Sequence, residues 1–208
     1  MVLAPGYAPL SFTAPEPGSY ALPAMGSAAD GAVIDSDGNS AQLHDFLGGK
    51  PTVLSFIFTT CDDVNGCPLA TYVMRSVQDA LQADPATADK ARLVSFSFDP
   101  VFDTPDVINA YGSQFRAGDF DWQFLTTEGA TTLDPILNAY GQWVIRDYDE
   151  NGEYMGTMSH ILRVFLIDES RQIRNIYSTS FLHADTVAND VRSLLMEAAA
   201  EPSANTGS

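Results

Sequence analysis

The stretch PTVLSFIF at residues 51–58 is an unbroken run of apolar, β-branched and aromatic side chains. A strand with one wet face alternates apolar and polar residues, whereas a strand covered on both faces reads as a continuous apolar run. Residues 51–58 are therefore expected to be a central strand, with other layers packed above and below it. A helical pattern follows soon afterwards, with Leu69, Tyr72, Val73, Val77 and Leu81 recurring on one face from Pro68 to about Leu81. Proline suits the first position of a helix, where its missing N–H costs nothing.

The rest of the chain repeats this alternation. GAVIDSDGNSAQL (31–43) predicts a β-hairpin around Asp37-Gly38, a pair that tolerates the positive φ of a tight turn. ARLVSFSF (91–98) predicts a second buried strand. Thr104 is the expected N-cap of a helix opening at Pro105 and running to about Phe115, with Asp106 in its first turn. WQFLTT (122–127) predicts a strand and residues 128–140 a helix. ILRVFLID (161–168) and IRNIYS (173–178) predict a hairpin through Glu169–Gln172, and residues 184–198 a last amphipathic helix. Strand and helix alternate three times, then come a hairpin and a helix. This order implies an α/β fold: a mixed sheet with helices on both faces, in the thioredoxin-like arrangement, with an N-terminal β-hairpin extension. Residues 1–28, rich in Ala, Pro, Gly and Ser, are expected to be an extended lead-in that orders only by docking on the body. The expected domain covers 29–198, and 199–208 a tail.

Composition narrows the function. Of the ionisable residues 27 are Asp or Glu and 10 are Lys or Arg, so the formal net charge is −17. Such a chain lacks the basic patches that nucleic acid demands, and an anionic membrane surface repels it. No apolar stretch reaches bilayer length. Neither a phosphate-binding glycine loop, a serine-hydrolase elbow nor a zinc-protease helix motif is present.

The chain has two cysteines, Cys61 and Cys67, with five residues between them. Cys61 follows the first core strand and Cys67 precedes its helix, at the carboxyl end of the sheet where α/β folds bind ligands. N–H groups at a helix N-terminus stabilise thiolate, which is both a nucleophile and a soft metal ligand; Asp62 and Asp63 oppose it. The pair is open to three uses: a redox couple, a metal clamp or a structural disulfide. Of the three histidines, His44 and His183 read as structural, whereas His160 directly precedes the strand ILRVFLID, and the loop entering that strand is expected to lie beside the cysteine helix. Two thiolates and one imidazole make a three-coordinate soft site suited to Cu(I) and tolerable for Cu(II). Met155 and Met158 lie just upstream; a thioether selects Cu(I), but methionine also serves as a filler of core gaps. Asp99 and Asp103 read as turn and capping residues.

Three blocks, VLSFIFTTCDDVNGCPLA, SFDPVFDTPDVINAYGSQF and MSHILRVFLID, resemble the Sco/SenC family in the same order over about residues 29–196. The resemblance implies a membrane-tethered, thioredoxin-fold protein that helps build the copper centres of cytochrome oxidase. It implies copper held by Cys61, Cys67 and His160, and it matches the family's aspartate to Asp99. It further implies a periplasmic location, an anchor in the full-length precursor, and a copper-donating or copper-receiving partner such as a cytochrome oxidase subunit. Two features depart from the family pattern: five residues rather than three separate the cysteines, and Ser159 stands where aspartate is common. The wider loop keeps thiol–disulfide oxidoreductase or electron-transfer work by Cys61 and Cys67, with a thiol–disulfide reductant as partner, as the alternative to a non-enzymatic metallochaperone.

Overall fold

The structure is a computed structural model that describes residues 7–200. Its strands are β1 (Gly26–Ser27), β2 (Ala32–Asp35), β3 (Ser40–Gln42), β4 (Thr52–Ile57), β5 (Arg92–Ser97), β6 (Trp122–Thr126), β7 (Val144–Tyr148), β8 (Tyr154–His160), β9 (Arg163–Ile167) and β10 (Gln172–Ser178). The helices are α1 (Leu43–Phe46), α2 (Cys67–Gln82), α3 (Pro105–Ser113), α4 (Ala130–Ala139) and α5 (Ala184–Ala200). An eight-stranded sheet runs in the order β1-β10-β9-β4-β5-β6-β2-β3. Strands β4, β5 and β6 are mutually parallel, β9 is antiparallel to β4, and the β2–β3 hairpin extends the far edge.

Strand β4 is buried along its whole length, as its unbroken apolar run requires. Its side chains still alternate between two cores. Val53, Leu93, Val164 and Leu166 point to a layer formed by α2, α3 and α5. Leu54, Phe56, Val94, Phe96 and Phe165 point to a layer formed by α1 and α4. Helices therefore cover both faces of a mixed sheet. In β5 and β6, Trp122 reaches across to donate its indole N–H to Ser95 Oγ at 3.1 Å, so its one polar atom is satisfied inside the core.

The lead-in packs on the body over its described part. Leu22 joins the first core, β1 pairs with β10, and the Tyr7 hydroxyl accepts a bond from the Ala184 N–H at the start of α5. The expected tail at 199–208 lies outside the described residues from 201 onward. Thr104 holds the N-cap position of α3 in extended conformation, but its side chain makes no capping bond. The largest difference from expectation is a separate two-stranded sheet of β7 and β8. His160 is the last residue of β8 instead of part of a loop entering β9.

Candidate metal centre

After β4 the chain turns at once: the Cys61 N–H donates to Phe58 O at 3.3 Å. The five-residue gap is folded up by a second turn. The Gly66 N–H bonds Asp63 O at 2.8 Å, and the Asp63 carboxylate accepts from the Asn65 N–H at 3.0 Å. Gly66 then caps α2, so that Cys67 is its first residue and Pro68 follows within the opening turn. Cys61 is half-buried, Cys67 is buried, and both thiols are free. The widened loop thus spends its extra length on an outward turn and still returns the second cysteine to the first.

His160 completes the group. Its Nε2 lies 3.6 Å from Cys67 Sγ and 4.0 Å from Cys61 Sγ, and all three donor atoms lie within 4.8 Å of one another. The imidazole is held by two rings, edge-on by Phe58 at 5.9 Å between centroids and tilted against Phe98 at 5.0 Å. Metal–nitrogen and metal–sulfur bonds of roughly 2.0–2.3 Å in a trigonal plane place donors roughly 3.5–4 Å apart. The nitrogen–sulfur separations fall in that range, so the donors fit an ion with little rearrangement. Two sulfurs and one imidazole are a donor set for a soft, low-coordinate cation.

The two thiols differ sharply. Cys61 is held down to about 5, chiefly by the Cys67 thiol, and further by His160 and the backbone N–H groups of Cys67 and Asp63. Burial pushes Cys67 far up, and the neighbouring Cys61 reinforces this. The N–H at the start of α2 thus acts on the cysteine outside the helix. Asp63 contributes its N–H to the thiolate while its carboxylate is occupied in the turn. The arrangement has one half-buried thiolate and one protected thiol beside it.

A further support was not visible in sequence. Asp103 is fully buried; its carboxylate accepts from the Thr59 N–H at 3.0 Å, from Ser97 Oγ at 2.5 Å and from the Thr59 hydroxyl. It is therefore more than the turn or capping residue expected: it pins Thr59, just past β4 and two residues before Cys61, to the end of β5. Asp99 does sit in a turn, its carbonyl accepting from the N–H groups of Phe102 and Asp103, and its carboxylate lies 3.9 Å from Arg146 of β7. Met158, two residues before His160 on the same strand, is buried in the core that includes Cys67, whereas Met155 is exposed. His44 is tied to Ala28 O and near Asp30, and His183 stacks on Tyr7; neither belongs to the Cys61–Cys67–His160 group.

Residues 28–196 match the sequence profile of the SCO1/SenC family. The chain belongs to the SCO1/SenC family. A SCO1 protein homolog of Bacillus subtilis is 32% identical over 92 residues, and a Stutzerimonas stutzeri protein named as copper-binding is 30% identical over 129. The first match covers 44% of this chain and 45% of the relative, the second 62% and 58%, so the chain spans about half the length of these relatives. Two solved structures similar in fold are the copper-bound ScoI proteins of Arabidopsis thaliana and Bradyrhizobium japonicum. The first has a TM-score of 0.69 and 20% identity, covering 84% of this chain and 99% of that one. The second has a TM-score of 0.66 and 24% identity, covering 81% and 99%. The SCO1/SenC fold is therefore shared over nearly the whole of those structures.

Proposed function

We propose that this chain binds one copper ion between the Cys61 and Cys67 thiolates and the His160 imidazole, and hands it on to a partner of the cytochrome-oxidase assembly type. The observation that carries this is the convergence of two sulfurs and one ring nitrogen, from a loop, a helix start and a separate hairpin, at metal-binding spacing. The copper-bound ScoI relatives and the family support the choice of ion. Half-buried Cys61 offers the face on which an incoming thiolate of the partner displaces one donor at a time, so that the ion is never left without ligands. Family membership and a Bacillus anthracis SCO1/SenC lipoprotein of similar fold support a place at the outer face of the cytoplasmic membrane. Among the described residues no helix is long and apolar enough to cross a membrane.

Anaerobic titration of the reduced protein with Cu(I) against a chromophoric competitor tests this. One equivalent is expected to bind, with an affinity loss of at least tenfold in Cys61→Ala, Cys67→Ala and His160→Ala. Unchanged affinity in all three variants would sink the assignment.

The contrast between the two thiols favours a second use. Cys61 thiolate attacks a partner disulfide, forming a mixed disulfide and releasing one partner thiolate. Cys67, once deprotonated, attacks Cys61 Sγ, releases the partner's second thiolate and leaves a Cys61–Cys67 disulfide: the partner gains two electrons and this chain loses them. BsSco, a structure of similar fold, is described as having a disulfide switch. A mixed disulfide that accumulates in Cys67→Ser and not in Cys61→Ser is the expected signature.

A further inference from the structure

Beside the metal centre lies a groove of about 700 Å³ that the copper reading leaves unused. One wall is the cysteine loop and the first turn of α2, through Val64, Asn65 and Leu69. The second is the lead-in from Tyr7 to Phe12, and the third is the outer side of β10 and the segment joining it to α5. The rim carries large apolar side chains in water: Phe181 is 73% exposed, Phe12 59% and Val64 45%. Monomeric proteins seldom leave such side chains clustered without a partner. The placement is specific, because Val64 belongs to the same widened loop that separates the cysteines.

Charge enters at the margins of the groove. The lining itself carries no Asp, Glu, Lys or Arg, and acidic charge lies on residues adjoining it in the chain. Asp62 and Asp63 are exposed next to Val64, and Asp185 is 69% exposed beside His183. The outer edge of β10 beyond Ile173 has no strand beside it among the described residues, yet Asn175 Oδ1 accepts from the Ile176 N–H, which occupies a donor that an added strand would use. An added strand would find that donor taken, which favours an occupant held through its side chains.

We propose that this groove docks a segment of the partner protein with apolar side chains at its centre and lysines or arginines at its flanks. Its apolar residues cover Phe12, Val64 and Phe181, and its cationic flanks meet Asp62, Asp63 and Asp185. Occupation brings the partner against the cysteine loop, where its own thiols can reach the ion. This rests on the copper-transfer reading for its purpose, though not for its geometry. Charge of this kind raises encounter rates and is screened by salt, while the apolar centre sets the lifetime of the complex.

The probe is a short synthetic peptide of leucine and phenylalanine bracketed by lysines and carrying a fluorophore, with the same core bracketed by glutamates as the contrast. Binding to the metal-free, reduced protein is followed by anisotropy at low and high salt. The lysine peptide is expected to bind at least tenfold more tightly than the glutamate peptide and to weaken with salt. Phe12→Asp and Phe181→Asp, both at exposed positions, are expected to cut lysine-peptide binding at least tenfold while leaving the Cu(I) affinity unchanged. Equal binding of the two peptides, no binding of either, or no effect of both variants overturns the proposal. So does concentration-dependent self-association abolished by Phe181→Asp, which makes the occupant a second copy. Cu(I) titration of the same samples separates the two ideas: lost copper binding with intact docking counts against the metal site alone, and intact copper binding without docking against the groove alone.

Discussion

At the scale of single residues, the centre works by asymmetry between two chemically identical side chains. An ordinary thiol titrates near 8.5. Cys61 titrates well below this, because a thiol, an imidazole and two backbone N–H groups all converge on its sulfur, whereas burial keeps Cys67 protonated. The folded chain therefore favours the Cys61 thiolate. This contribution to stability is fully present above the unfolded thiol's titration range and is lost as the pH falls towards about 5. Iodoacetamide at a pH of about 6, well below an ordinary thiol's range, is expected to label Cys61 and spare Cys67. Peptide mapping by mass spectrometry reads this directly, and preferential labelling of Cys67 would contradict the assigned polarity. The support beneath Cys61 is open to a similar test. Three donors converge on the Asp103 carboxylate, and an amide in its place offers a single acceptor atom. Asp103→Asn removes the cost of burying a charge, which is what raises the carboxyl's pKa, but it strands donors at about 1–3 kcal/mol each, and the second effect is the larger. The variant is expected to lose a few kcal/mol in urea denaturation and to bind Cu(I) more weakly at unchanged stoichiometry. Unchanged stability would show that Asp103 does not anchor the loop.

At the scale of elements, legibility follows burial. β4, β5 and α2 could be read because their side chains answer to a core and so carry its periodicity. The β7–β8 arm could not: Ile145 and Tyr148 are largely exposed, Arg146 and Asp147 interrupt the apolar pattern, and among the arm's described residues only Val144 and Met158 reach the core, too few to impose an alternation. Its one visible cue was the Asn151-Gly152 pair at the turn between the strands. That arm nevertheless carries His160, so a ligand's identity was legible while the element presenting it was not. The part played by Asp103 was hidden for a different reason: it depends on Thr59, 44 residues earlier in the chain, arriving beside Ser97 at the end of β5. Where α3 meets the sheet, packing is tight enough to override helix propensity. A Cβ at Gly112 would stand 2.6 Å from the Phe124 ring, and that ring is buried and stacked on Trp122 at 5.2 Å. Alanine gains about 1 kcal/mol of propensity over glycine within a helix, whereas forcing a buried aromatic ring aside costs about 1–3 kcal/mol. Gly112→Ala is therefore expected to destabilise the protein on balance, with a lower denaturation midpoint and an unaltered Cu(I) affinity. A raised midpoint would mean that α3 yields more readily than its contact with Phe124 implies.

At the scale of the molecule, a formal charge of −17 on 208 residues sets the conditions under which the fold is most stable. Some of that charge is neutralised locally: Asp121 accepts from Lys50 and Arg92, each at 2.8 Å, and Arg174 bridges Asp168 and Glu197. Pairs of this kind weaken as salt is added. With 27 acids against 10 cations, however, most carboxylates have no cation to pair with, so mutual repulsion outweighs what the pairs supply. The two effects respond to salt in opposite directions, and the excess of acids decides the sign. The Debye length falls from about 30 Å at 0.01 M to about 3 Å at 1 M, from the width of the molecule to that of a single contact. Sodium chloride across this interval is expected to raise the melting temperature of the metal-free protein by several degrees, with most of the rise complete by about 0.15 M, where the screening length has already fallen to about 8 Å. Sodium and potassium chloride should act alike, since screening depends on ionic strength and not on the identity of the cation. A melting temperature that falls with salt would mean that the few ion pairs dominate the electrostatics, and a rise confined to one cation would point to a bound ion instead of screening.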